Sequence, residues 1–304
     1  MLLAVDPATI ARPNFVRRHA QLEKADWQAL QERATQMGVT PSGLLMTAYA
    51  EVLGAWSRTS RFCLNVTTFN RMPLHKDINN VVGDFTSLTL LAVDTALDDS
   101  SFALRARQTQ EQLWSDLDHR SYSGVEVIRD LARARNQAPG ALMPVVFTSR
   151  LFNDPRVAAM DEQDFSYGEV VYSISQTPQV WIDAQVQEEA GKLIWSWDTV
   201  DELFPEGMMD DLFHAHTKLL EDLSRNEDLW QEQQLPILPA SHAAILEAAN
   251  DTHYEFGPDA RTTMDQLVLA QVRRTPDAVA VIDGDMELTY AQLWHAACRS
   301  RMVV

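Results

Sequence analysis

The stretch from Thr40 to Trp56 constrains the fold more than any other part of the chain. Thr40 reads as an N-cap and Pro41 as the first helical residue, because a side-chain oxygen can satisfy a free backbone N–H there and proline has none to satisfy. Behind them Leu44, Leu45, Ala48, Tyr49, Val52, Leu53 and Trp56 form one wide apolar stripe at helical spacing. A helix of that kind has to be covered by a core of some size. The chain can supply one: of its 304 residues 46% are hydrophobic and 22% charged, which allows one large domain, or one domain plus part of another.

Elements of both periods surround this helix. Trp27, Leu30, Ala34 and Met37 recur at helical spacing over Ala25 to Met37, the first convincing element, and Gly38-Val39 ends it. Further helices are expected over Ser101 to Leu117, over Gly124 to Asn136, and from Pro205, where Met209, Leu212, Phe213, His216, Leu220 and Leu223 line one face. Strands are expected at Arg61 to Thr68, Thr86 to Val93, Leu142 to Thr148, Gly168 to Ile174, Val180 to Val186 and Lys192 to Trp197. A tight acidic turn at Glu188 to Gly191 joins the last two. The fold class is therefore α/β, with one lobe over residues 14–230. From Leu235 the texture changes. Leu235-Pro236-Ile237-Leu238-Pro239 is an extended connector, because two prolines disfavour helix at and before them. A short helix, a polar stretch to Thr263, a helix over Met264 to Arg274 and a hairpin about Asp283-Gly284-Asp285 follow, and Tyr290 opens a last helix. The division expected is a lobe over 1–234, a linker over 235–263 and the start of another domain over 264–304.

Charge and composition exclude several function classes. With 25 Lys and Arg against 43 Asp and Glu the chain carries a net −18, which repels phosphate backbones and anionic lipid, so neither nucleic acid nor a membrane surface is an expected partner. No apolar run approaches the roughly 18 residues of a membrane span. The opening Met1-Leu2-Leu3-Ala4-Val5-Asp6 lacks the basic start of a signal peptide, and a cytoplasmic location is expected. Cys63 and Cys298 belong to no CxxC pair, so neither a disulfide framework nor a zinc site is expected. No glycine-rich phosphate loop occurs.

Residues that could carry chemistry are few. His214 and His216 lie two apart on a helix and point to different faces, which suits packing better than a shared metal. His75 and His119 have no paired carboxylate at useful spacing. Asp94 and Asp99 fall on a strand end and an acidic loop. Polar residues set in apolar, β-prone sequence stand out more: Asp84 in Gly83-Asp84-Phe85-Thr86, Thr148 after Pro144-Val145-Val146-Phe147, and Asp183 after Gln179-Val180-Trp181-Ile182. A carboxylate buried in a strand must be hydrogen-bonded or paired, and its pKa tends to rise. Asp183 is thus a general acid/base candidate, or a structural carboxylate paired with a neighbouring strand or Arg. Thr148 is a hydroxyl able to orient a reacting group.

These residues sit in segments that resemble a known family. Gly83-Asp84-Phe85-Thr86-Ser87-Leu88-Thr89-Leu90-Leu91, Pro144-Val145-Val146-Phe147-Thr148-Ser149-Arg150-Leu151, and Ser175-Gln176-Thr177-Pro178-Gln179-Val180-Trp181-Ile182-Asp183 with Trp197-Asp198 after it are similar to motifs of heterocyclization domains of nonribosomal peptide synthetases. Thr40-Pro41-Ser42 through Trp56 matches the helix motif that precedes them. The segments Thr275-Pro276-Asp277-Ala278-Val279-Ala280-Val281 and Leu288-Thr289-Tyr290-Ala291-Gln292-Leu293 resemble the opening of an adenylation domain. Nothing before Thr40 matches the DxxxxD motif of the family's amino-terminal lobe.

The resemblance implies a carboxy-terminal lobe of the chloramphenicol-acetyltransferase-like fold, a mainly β core flanked by helices, followed by an adenylation-domain start. The family's reaction joins an acyl thioester to carrier-bound Cys, Ser or Thr and cyclodehydrates the product to a thiazoline or oxazoline, as in siderophore synthesis. By resemblance Asp183 is the acid/base and Thr148 its hydrogen-bonding partner, with Asp84, Thr86, Ser149, Gln176, Thr177 and Gln179 as supporting or cleft residues. No cofactor is expected on the chain itself; the phosphopantetheine arms belong to partner carrier domains. The other partners implied are an adenylation domain and an amino-terminal lobe, without which the chain alone is expected to be inactive. A non-catalytic docking scaffold is the alternative. A simple condensation domain should carry HHxxxD, and no adjacent histidines occur here.

Overall fold

A computed structural model describes residues 3–72, 74–96, 100–136, 143–151, 172–177, 179–253 and 262–300. The chain divides into two compact units, Met1–Ala243 and Ala244–Val304. The first is built on a mixed sheet. Its strands are β1 (Phe15–Leu22), β2 (Arg61–Phe69), β3 (Thr86–Asp94), β4 (Val145–Arg150), β5 (Ile182–Glu189) and β6 (Lys192–Val200), arranged in the order β1-β6-β5-β4-β2-β3. The β2–β4 and β4–β5 pairs are parallel and the other pairs antiparallel.

The helices of this unit are α1 (Lys24–Gln36), α2 (Pro41–Ala55), α3 (Phe102–Asp118), α4 (Gly124–Ala134) and α5 (Met208–Arg225), and a further helix, α6 (Ala240–Asn250), spans the division. In α2 every residue from Gly43 to Leu53 is buried. The N-cap forms as its sequence implies, with Gly43 N donating to Thr40 Oγ1 at 3.1 Å. Gly43 lets α2 approach Gln110 closely, since a Cβ there would meet Gln110 Oε1 at 2.9 Å and force that side chain to shift. Tyr49 of α2 stacks on Phe147 and meets Trp197 edge-on, so α2 lies against the face of β4 and β6, and α5 closes over it with Leu212, Leu219 and Leu220. Each such fully buried aliphatic side chain contributes about 1.5–3 kcal/mol relative to exposure. Glu51 is the charged residue in α2. Arg105 of α3 forks onto it at 2.7 and 3.1 Å, and Arg105 also donates to the carbonyls of Ser100 and Gln233.

Two features depart from the sequence expectations. Phe15–Leu22 is a strand, although the helix at Ala25 was the first element its pattern predicted. Arg17, Arg18, His19 and Gln21 interrupt its hydrophobic pattern, and pairing with β6 alone holds it at the sheet edge. The strand expected over Gly168 to Ile174 lies for the most part outside the described residues, and the described part, 172–174, is not strand. Leu142, the expected start of β4, and Asp99 also lie outside them. The tight turn between β5 and β6 is made by Ala190 and Gly191, both at positive φ (49° and 75°), the conformation that matches the twist of paired strands.

The second unit contains α7 (Met264–Arg274), α8 (Tyr290–Ser300) and the hairpin β7 (Val279–Asp283) with β8 (Met286–Thr289). Gly284 turns that hairpin at a φ of 58°. Among the described residues no helix is long and apolar enough to cross a membrane.

Candidate functional site

The pairing register sorts the sheet into two faces. Side by side across it stand Leu90, Asn65, Val146, Asp183, Asp198 and Arg17, and two residues along stand Leu88, Thr67, Thr148, Gln185, Ser196 and His19. Residues in register point the same way, and Ala184, Trp197 and Phe147 alternate with these onto the side where Tyr49 packs. The face turned away from α2 is therefore polar at its centre, with Asp183 and Thr148 both on it.

Asp183 is 7% exposed. Its Oδ2 accepts from Gln185 Nε2 at 3.0 Å, while its Oδ1 is buried with no hydrogen-bond partner among the described residues. Burial pushes this carboxyl above its ordinary value; Ser175 and Gln185 pull it down, the like charge of Asp198 adds to the rise, and the Arg17 guanidinium opposes it. Directly opposite on β6, Asp198 is fully buried. Arg17 Nε and Nη2 donate to its two oxygens at 2.7 and 2.5 Å, and the Ser175 N–H donates to Oδ2 at 2.7 Å. Two adjacent carboxyls thus have different surroundings. One is fully engaged, and the other keeps an oxygen without a hydrogen-bond partner among the described residues and a pKa raised by burial, which favours its protonated form.

Thr148 is half-buried, and its Oγ1 donates to Thr67 Oγ1 at 3.0 Å. This corrects the expected Thr148–Asp183 hydrogen bond. Thr148 stands in register with Gln185, one diagonal step from Asp183, so Gln185 is the side chain that reaches the carboxylate. Gln185 Oε1 in turn accepts from Arg150 Nη2 at 3.1 Å.

The expected supporting residues scatter. Asp84 is exposed and lies ahead of β3, where its Oδ1 accepts from the Thr86 N–H at 2.8 Å; the Thr86 hydroxyl, and then that N–H, hold its pKa below the ordinary value. It turns the chain into β3 and, contrary to the expectation from its β-prone neighbours, is not buried in a strand. Thr86 is likewise exposed. Ser149 points to the α2 side, where its hydroxyl meets that of Ser42 at 2.8 Å. Gln176, Thr177 and Gln179 are exposed on the segment leading to β5, with Gln179 at a φ of 68°. Asn65, Thr67, Arg17 and Gln185 were not singled out by the sequence reading. Asn65 is 7% exposed with Oδ1 unpartnered among the described residues. Its signal was present, since it is polar within the alternation of Phe62, Leu64 and Val66. His216 lies between Tyr49, Trp195 and Trp197, where burial lowers its pKa to about 3, as a packing residue.

Comparison with known proteins agrees with this architecture. The condensation-domain family model matches residues 2–246. Pyochelin synthetase PchF of Pseudomonas aeruginosa is 38% identical over 303 residues, 99% of this chain and 16% of that protein. Phenyloxazoline synthase MbtB of Mycobacterium tuberculosis is 38% identical over 283 residues, 93% of this chain and 19% of that protein. The chain thus spans under a fifth of the length of these curated relatives. Among solved structures, the EpoB cyclization-docking bidomain from Sorangium cellulosum superposes with a TM-score of 0.64 at 37% identity, covering 75% of this chain and 45% of that one. The nonribosomal peptide synthetase FmoA3 in its AMPPNP-bound form gives 0.68 at 34% identity, covering 94% of this chain and 30% of that one. Sheet, helices and sequence agree: the chain has the mixed-sheet, chloramphenicol-acetyltransferase-like fold and belongs to the condensation-domain family of nonribosomal peptide synthetases.

Proposed function

We propose that the chain is part of a heterocyclization module, which condenses an acyl thioester with carrier-bound Cys, Ser or Thr and cyclodehydrates the product to a thiazoline or oxazoline. The observation that carries this reading is Asp183: a buried carboxyl with a raised pKa and one oxygen unpartnered among the described residues, on the polar face of the sheet. Likeness to a cyclization domain and to a phenyloxazoline synthase supports it. In the amide first formed, the side-chain thiol or hydroxyl adds to the carbonyl carbon. The carbonyl oxygen takes up a proton, becomes a hydroxyl and departs as water once protonated, while nitrogen loses its proton to form the C=N bond. Asp183 serves as the acid that delivers the proton to the leaving hydroxyl and as the base that receives the one from nitrogen. Gln185 holds one carboxylate oxygen, and the Thr148–Thr67 pair lines the adjoining row. Two tethered substrates held in place supply much of the remaining rate. Their phosphopantetheine arms come from carrier domains. A siderophore-type product and an adenylation-domain start from Met264 complete the proposal.

The test uses acyl- and cysteinyl-loaded carrier proteins, with the chain alone and with the chain completed by the amino-terminal lobe of a related cyclization domain. The completed form should yield thiazoline by mass spectrometry and the chain alone should not. In the completed form Asp183→Asn should accumulate the uncyclised amide. Cyclisation by that variant at the parent rate would overturn the assignment.

A further inference from the structure

Asp183 and Asp198 face each other in register across β5 and β6, two carboxyls in one buried row. Like charges side by side in a buried row call for a cation, and among the described residues Arg17 supplies it. It does not divide itself evenly. Its fork is committed to the two oxygens of Asp198, and the Ser175 N–H completes that set, so Asp183 receives the guanidinium's field without a hydrogen bond from it.

Resting on the heterocyclization reading, we propose that Arg17 and Asp198 form a positioning pair for Asp183: by engaging each other they leave Asp183 as the carboxyl of the two whose Oδ1, unpartnered among the described residues, exchanges a proton with substrate. Neither residue touches the reacting atoms in this arrangement. Asp198 excludes Arg17 from Asp183, and Arg17 cancels the charge that Asp198 would otherwise set beside it. The pair also holds the chain ahead of β5, through the Ser175 N–H on Asp198.

The groups facing Asp183 can be named element by element. Asp198 stands on β6, Arg17 on β1, Gln185 on β5 itself, and Val146 and Thr148 on β4. Ser175 approaches from the incoming segment, and Tyr172 nearby acts on Arg17. Tyr49, fully buried on α2, interacts with Asp183 through the sheet. Of these, Asp198 and Arg17 are the two whose removal changes the balance in opposite senses.

The experiment reads the proton on Asp183 directly, in the chain as it stands. Carboxyl carbon NMR of the protein labelled at Asp, with the resonance assigned by its loss in Asp183→Asn, gives the titration midpoint. In Asp198→Asn the like charge is gone and Arg17 is free to bond Asp183, so the midpoint should fall by about one pH unit or more. In Arg17→Gln the cation is gone, and the midpoint should rise by a similar amount. A merely structural role predicts otherwise: loosening the strands admits water to Asp183, and both variants would move the midpoint down towards that of an ordinary carboxyl. A fall in Arg17→Gln, or no change in Asp198→Asn, would therefore refute the proposal. Arg17→Lys keeps the charge and should stay near the parent midpoint, which covers the case in which Arg17→Gln fails to fold. The titration needs no turnover, so it is separate from the Asp183→Asn cyclisation assay, which tests the catalytic reading itself.

Discussion

Replacing Arg105 with Met should be among the most destabilising single changes in this protein. Arg105 and Glu51 are 5% and 8% exposed, and their contact is a two-pronged one between α3 and α2. Methionine fills much of the arginine stem's volume but leaves the Glu51 carboxylate inside the core without its cation. Breaking such a pair from one side costs about 3–5 kcal/mol. Arg105 also donates to the Ser100 and Gln233 carbonyls, and loss of those bonds acts in the same direction. At roughly 2–4 °C per kcal/mol for a chain unit of this size, the melting temperature should fall by about 6–20 °C. The double variant Glu51→Gln with Arg105→Met removes both charges and should recover a large part of the loss, since a neutral pair has no stranded ion. Urea unfolding followed by tryptophan fluorescence suits the measurement, because Trp27, Trp195, Trp197 and Trp230 are all fully buried in this unit. A single variant within 1 kcal/mol of the parent, or a double variant no better than Arg105→Met, would show that the pair does not hold α2 and α3 as reasoned.

Other outcomes are expected. His216 has its pKa lowered to about 3 by burial, so its neutral form is the one the fold accommodates; stability from this group is complete above its ordinary value near 6.5 and is lost as pH falls from there towards 3. Unfolding free energies from pH 7 to pH 4 should show that slope, up to about 1.4 kcal/mol per pH unit, and His216→Leu should flatten it. Thr148→Val keeps shape but ends the hydrogen bond to Thr67, so in the lobe-completed enzyme dehydration should slow about tenfold with amide formation largely kept, measured by product ratio. Asp84→Asn, at an exposed turn, should leave cyclisation unchanged and stability within about 0.5 kcal/mol in the same assays.

The legible parts of this fold were those where one physical signal dominated. The stripe of α2, its Thr40 cap and the Ala190-Gly191 turn follow from local chemistry, and the structure contains all three. Asp183 stood out because a carboxylate amid Val180, Trp181 and Ile182 demands a reason. β1 was illegible because an edge strand paired on one side tolerates Arg17, Arg18 and His19, and that tolerance comes from β6, some 180 residues away in the chain. The same distance hid Arg17 as a partner of Asp198. Asp84 misled because apolar neighbours in sequence suggested burial, whereas Gly83 and Asp84 form a turn outside the strand. Thr148 and Asp183 stand on one face because β4 and β5 are neighbours, and which side chain bridges towards the carboxylate depends on the register of β4 against β5, which a single sequence does not encode locally.

The hairpin of β5 and β6 gives the protein a rule of parity. Along both strands odd and even positions serve opposite masters: Asp183, Gln185, Ser196 and Asp198 on one side, Ala184, Val186, Trp195 and Trp197 on the other. Deleting or inserting one residue within β6 reverses the facing of the residues on one side of the change, setting Trp195 and Trp197 against the polar side or Asp198 among the aromatic rings; the same change within β5 does this to Asp183 and Gln185 or to Ala184 and Val186. Changes of two residues keep every side chain on its proper side. Length variation in this segment should therefore be free at the Ala190-Gly191 tip and come only in even steps within the strands. A gap of one residue within either strand would need a compensating β-bulge to keep the aromatic and polar sides apart.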